Sequence, residues 1–230
     1  MSHTKNQRAI TIRAWLLWTT SFLALPVGGY AGTIISGRID DPLSAVVGGA
    51  IAGLIIGTGQ ALTSSHRVRP VTWITATILG MGAGLALGAA AAGYRTNLPD
   101  LVLMGALNGL VLGVAQALAL PRQLGGRRWI WAAAMPALWS LGWTITTLAR
   151  IAVDQQFIVF GASGAVIVTA ITGLILNRLL PVAPSNQPAM AQSTAKVHSC
   201  LPTCTSSSAP APSGWPPWTP SAAGAARSAW

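Results

Sequence analysis

Gly49-Ala50-Ile51-Ala52-Gly53-Leu54-Ile55-Ile56-Gly57-Thr58-Gly59-Gln60-Ala61-Leu62 is the stretch on which the fold turns. It sets three glycines four residues apart and ends on a glutamine three residues beyond the last of them. The same pattern returns 56 residues later, as Gly105-Ala106, Gly109, Gly113 and Gln116-Ala117-Leu118. A third copy follows at the same offset, in which Gly161-Ala162 and Leu174 are kept, Ala165 and Thr169 replace the later glycines, and Thr172 replaces the glutamine. Self-similarity at one fixed offset predicts a triplicated structural unit.

The medium in which that unit folds follows from composition. Hydrophobic residues make up 52% of the 230 and charged residues only 8%, against about 25% in soluble domains. Six stretches are long enough to cross roughly 30 Å of hydrocarbon as helices: 14–36, 43–63, 71–93, 101–120, 129–149 and 157–180. The predicted fold is therefore an all-α integral membrane protein of six transmembrane helices. They form three helical-hairpin repeats, 14–69, 70–125 and 126–181. Each repeat has an even number of spans, so the copies share one orientation and should surround a pseudo-three-fold axis along the membrane normal.

The formal net charge of +10 would suggest nucleic acid in a soluble protein, but here the position of each charge matters more than the sum. Lys5, Arg8 and Arg13 precede the first span, Arg67 and Arg69 follow the second, Arg122, Arg127 and Arg128 follow the fourth, and Arg178 closes the sixth. The opposite loops hold Arg38, Arg95 and Arg150 with all four acids, Asp40, Asp41, Asp100 and Asp154. The positive-inside rule then places a basic N-terminus, 1–13, and the C-terminal tail in the cytoplasm, and the expected site is a bacterial plasma membrane. A basic start before an apolar run also resembles a secretory signal. Against that, Gly28 and Gly32 recur as Gly84 and Gly88 and then as Ser140 and Thr144, so the first span obeys the repeat.

Each glycine set lies on one helix face, because residues four apart stack along a helix. Bare faces let backbones approach closely, which matters in lipid, where association depends on packing rather than on expelling water. Gly49, Gly53, Gly57, Gly105, Gly109 and Gly113 are thus expected to pack against the small pairs of the odd helices, Gly28/Gly32 and Gly84/Gly88, within each hairpin. Gln60 and Gln116 are expected to bond across helices near the cytoplasmic end. Trp73 and Trp129, with Trp15 and Trp18 at the equivalent place, read as interfacial depth markers. Pro26 and Pro136 free a carbonyl one turn earlier in their helices.

Asn108 is the one deep amide, and it has no polar counterpart at Ala52 or Gly164. With Gln60, Gln116, Ser163 and Thr169 it supplies the candidate polar lining of any solute path. No glutamate occurs, and no aspartate, histidine or lysine lies inside a predicted span, so the chain lacks the deep ionisable group that proton coupling or intramembrane hydrolysis needs. No catalytic residue, cofactor or metal is expected. His198, Cys200 and Cys204 have no common zinc spacing and lie in 182–230, a Pro/Ser/Ala-rich segment read as a disordered tail.

Two function classes survive. The favoured one is a packed scaffold or accessory subunit, in contact with lipid, a membrane-protein partner or copies of itself. The alternative is a passive or partner-driven path for a small solute. Nucleic acid is not an expected partner.

Overall fold

The computed structural model describes residues 2–150 and 158–182, with side chains from residue 6 onward. Apart from Val182, the expected tail, with Cys200 and Cys204, lies outside the described residues, as does Asp154. Among the described residues the chain is all helical: α1 (Ser2–Thr19), a 3-10 turn (Thr20–Leu23), α2 (Ala24–Ser36), α3 (Pro42–Thr63), α4 (Pro70–Ala91), α5 (Leu98–Ala119), a second 3-10 segment (Arg122–Arg127), α6 (Arg128–Leu148) and α7 (Ala162–Leu179).

Local chemistry sets the boundaries. Asp41 caps α3 by accepting from the N–H groups of Leu43 (2.7 Å) and Ser44 (3.1 Å), and the Ser44 hydroxyl accepts in return from the Asp41 N–H. Asn97 caps α5 through the Asp100 N–H. Gly93 and Tyr94 end α4 in the left-handed region, where the Tyr94 N–H returns to the Ala89 carbonyl at 2.9 Å. The first helical rod breaks into a 3-10 turn at Thr20–Leu23, directly before Pro26. Proline has no N–H for the carbonyl of residue 22 and its ring crowds that position, so the ladder shifts there.

Five helical segments are long and apolar enough to cross a membrane: Asn6–Ser36, Pro42–Thr63, Pro70–Ala91, Leu98–Ala119 and Ala162–Leu179. Large apolar side chains such as Leu54, Leu79, Leu103, Leu118 and Leu174 point outward from them. This is the surface of an integral membrane protein, since a helix that is apolar all round is buried in protein or in lipid. α6 packs closely on α5 but is not among the five. Its four tryptophans, its hydroxyls and Pro136 lower its mean hydropathy.

Two boundaries differ from the expectation. Helix begins at Ser2 rather than at the first apolar residue, so the basic N-terminal segment is α1's first turns. The last helix begins at Ala162, and Ile158-Val159-Phe160 before it are buried non-helical chain. These residues fill space over glycines: Val159 lies on Gly29, Ile158 on Gly32 and Gly48, and Phe160 on Gly142. The apolar run is continuous in sequence, but its first part serves as a plug.

Helices adjacent in sequence pack side by side from α2 to α7, most extensively α3 on α4 and α5 on α6, and α7 returns to α1. Here the glycine faces depart from the expected pairing. The Gly49/Gly53/Gly57 face meets α4, the next helix in the chain, and the Gly105/Gly109/Gly113 face meets α6. Gly28 and Gly32 do lie against their hairpin partner, but at Ala52 and Gly48, one face round from the stripe; Gly84 and Gly88 likewise meet Asn108 and Met104. Spacing fixes which residues share a face. The short turn after α3 or α5 decides what that face meets, by laying the next helix directly against it.

Candidate functional site

One turn inside the basic end, three buried tryptophans meet edge to face. The ring centroids of Trp18, Trp73 and Trp131 are 6.1, 6.2 and 5.6 Å apart in pairs, each pair steeply inclined as the ring quadrupoles favour. Each indole N–H leaves the cluster toward a neighbouring helix. Trp18 donates to the Thr172 hydroxyl (3.1 Å), Trp73 to the Gln60 amide oxygen (3.0 Å) and Trp131 to the Gln116 amide oxygen (3.0 Å). Gln116 then donates to the Thr77 hydroxyl at 3.0 Å and to Gln60 at 3.3 Å. Gln60, Gln116 and Thr172 are the three residues that stand 56 apart in the sequence. The Gln60 oxygen, both polar atoms of Gln116 and the Thr172 hydroxyl are bonded within the bundle, and the indoles fill its centre.

Trp73 is therefore not an interfacial marker, because it is fully buried. The tryptophan that joins it from α6 is Trp131, whereas Trp129 is 43% exposed with the Arg128 guanidinium 5.3 Å above its ring. The signal that could have found the cluster was the glutamines. A buried amide oxygen needs a donor, and an indole N–H one helix away is the apolar donor of choice.

Asn108 is fully buried in α5, with its amide N–H toward the Met81 sulfur at 3.9 Å and its Oδ1 packed on Gly84 without a hydrogen-bond partner. Ser163 is half-buried at the start of α7, its Oγ also without a partner, and lies far along the helix from the tryptophan end. Thr169 bonds back to the Ala165 carbonyl of its own helix (2.8 Å) and reaches Thr19 O at 3.4 Å, so it belongs to the α7/α1 contact. The structure thus brings Gln60 and Gln116 together and keeps Asn108, Ser163 and Thr169 apart from them.

The glycine contacts leave no room for a side chain. A Cβ at Gly53 would lie 2.6 Å from the Thr77 carbonyl oxygen, and one at Gly109 2.5 Å from that of Met135. Beside Gly113 lies the Ala132 carbonyl, the acceptor that Pro136 leaves free, so the bare face and the proline meet.

At the basic end Arg67 ties the ring closed. It donates from Nε to the Ser64 carbonyl (2.8 Å), from Nη2 to Ala14 O (3.4 Å) and from Nη1 to the Asn177 amide oxygen; Asn177 in turn donates to Thr11 O at 3.2 Å. Burial holds the Arg67 pKa below the usual arginine value, though a guanidinium stays charged at any physiological pH. At the opposite end the Ser44 backbone N–H and hydroxyl and the Leu43 N–H lower the Asp41 pKa, because they stabilise its charged form. Of the arginines and aspartates in the loops at that end, Arg95 and Asp100 meet at 2.8 Å, the only ion pair among the described residues. No group of metal-ligating side chains occurs among the described residues.

No family model, curated protein or solved structure matches this chain.

Proposed function

We propose that the chain is a packed membrane scaffold or accessory subunit without catalytic chemistry. In this reading α6 also crosses the bilayer, giving six helices in three hairpin units around a pseudo-three-fold axis, with the basic end and both termini on the cytoplasmic side of a bacterial plasma membrane. The cyclic bonding supports the arrangement, since each tryptophan donates to the residue at the shared 56-residue position on an adjoining helix. The short loops rich in arginine support the orientation.

The observation that carries the scaffold reading is the tryptophan cluster. Three interlocked indoles and the glutamine side chains bonded to them occupy the place where a solute would enter from the basic end, and Ile158-Val159-Phe160 occupy the other. Such an interior is suited to holding shape while the outer faces engage lipid or a partner protein. A second reading, a path for a small solute, rests on the free Asn108 Oδ1, an acceptor of the kind that lines a hydrated cavity.

Substituted-cysteine labelling separates the two. Asn108→Cys, in a Cys200→Ser/Cys204→Ser background, is treated in native membranes with a small impermeant thiol reagent from each side, with cysteines at Gln116 and at lipid-facing Leu110 as controls. A dry scaffold leaves position 108 unlabelled in a variant shown to be inserted. Labelling from either side would establish water at the centre and replace the scaffold with the path.

A further inference from the structure

Outside the cluster, a surface groove of about 1090 Å³ lies between α4 and α5 at the basic end. That exceeds the roughly 300–1,000 Å³ of sites that enclose a drug-sized molecule, and this one is open along its side. Its origin is in the packing. Gly80, Gly84 and Gly88 hold α4 against Leu112, Asn108 and Met104 of α5, and the groove lies beyond the last of these contacts, between Thr72, Thr75 and Ala76 on one helix and Ala115 and Ala119 on the other.

Its two parts differ in chemistry. The floor that runs along the helices is apolar, with Val71, Leu79 and Leu118 at 78, 64 and 58% exposure. The mouth holds His66, Arg69 and Arg122. Arg69 and Arg122 are exposed and have no carboxylate partner among the described residues, and none of the lining residues is acidic. Arg67 also borders the groove, but its guanidinium is committed to Ser64, Ala14 and Asn177. The first turn of α4 opens here as well; Arg69 at its N-cap offers no side-chain acceptor, so the positive end of the helix dipole adds to the same field.

We propose that this groove binds an anionic phospholipid, its phosphate held by Arg69 and Arg122 and an acyl chain laid over Leu79 and Leu118. Cationic mouth and lipid-facing apolar floor match the two halves of one such molecule, and basic pockets between membrane helices suit anionic headgroups. The inference rests on placing the bundle in a bilayer and is independent of whether its interior is dry.

The test is native mass spectrometry of the full chain in micelles. The protein is titrated with phosphatidylglycerol or phosphatidylcholine of the same acyl composition, and inorganic phosphate is added as a competitor. Phosphatidylglycerol should be retained more tightly, by about fivefold for each arginine engaged. Arg69→Gln/Arg122→Gln should abolish that preference, while Arg8→Gln/Arg13→Gln, which removes equal charge elsewhere, should keep it. Leu79→Trp should weaken retention of both lipids by filling the floor. Equal retention of the two lipids by the wild type would overturn the proposal without any variant. So would a preference that survives Arg69→Gln/Arg122→Gln in a protein of normal helicity, or displacement of the lipid by millimolar phosphate, which would reduce the site to an anion contact.

Discussion

Replacing Gly109 by alanine adds one methyl group and should cost the bundle more than most surface changes could. The new Cβ would fall 2.5 Å from the Met135 carbonyl oxygen and 2.9 Å from both Met135 C and Pro136 Cα, all backbone atoms that no rotamer change can move. Ordinary contact begins near 3.4 Å, so α5 and α6 must separate by roughly 0.9 Å at that level. The helices are not free to do so, because Trp131 is bonded to Gln116 two turns along the same contact and Ser140 Oγ to the Val102 carbonyl on the other side. Overpacking of this kind typically costs about 1–3 kcal/mol. That is roughly a 5- to 150-fold fall in the folded-to-unfolded ratio at about 1.4 kcal/mol per decade. Reversible unfolding in mixed detergent micelles reads it directly. Gly126→Ala is the matched control, since a Cβ there meets nothing within 4 Å. If Gly109→Ala unfolds within about 0.5 kcal/mol of Gly126→Ala, the close approach of α5 to α6 is refuted.

The polar cluster gives a second expectation: Gln116→Leu removes three interhelical bonds at about 0.6 kcal/mol each, near 2 kcal/mol in all. A double-mutant cycle with Trp131→Phe should recover a coupling of about 0.6–1.7 kcal/mol, and additivity would mean that the indole does not use that amide. Arg67→Met should lower the unfolding midpoint in the same micelles by releasing the loop after α3 from α1 and α7, whereas Arg95→Met, at a 69% exposed side chain, should shift stability by under about 1 kcal/mol. Asp41 has its pKa lowered in the folded protein, so its cap stabilises above the unfolded value of about 3.8 and that support is lost as pH falls through the lower folded value. Thermal unfolding at pH 7 and pH 2.5 should therefore show a larger acid loss for the wild type than for Asp41→Asn, which keeps an acceptor but cannot titrate. Equal losses would count against the cap.

Apolar length and sparse charge located the helices within a few residues, except at the first, where helix runs back through the basic segment to Ser2, and at 157–180, where buried non-helical chain and a buried helix share one composition. The four-residue glycine spacing identified bare helix faces, because a helix returns nearly to the same side every four residues. It also singled out Gln60 and Gln116, since an amide in an apolar helix must find a partner.

The partners themselves were decided in three dimensions. A glycine face fits any backbone that reaches it, so the Gly105/Gly109/Gly113 stripe suits α4 and α6 equally on paper. It meets α6, and α4 takes the other side of α5 through Gly84 and Gly88. Trp18, Trp73 and Trp131 do not keep the strict 56-residue offset, and a tryptophan one turn inside a helix serves equally at a lipid interface or in a core. Only closure of α7 onto α1 brings the three rings together, because ring contact depends on where helix axes lie, whereas sequence periodicity records only direction around each axis.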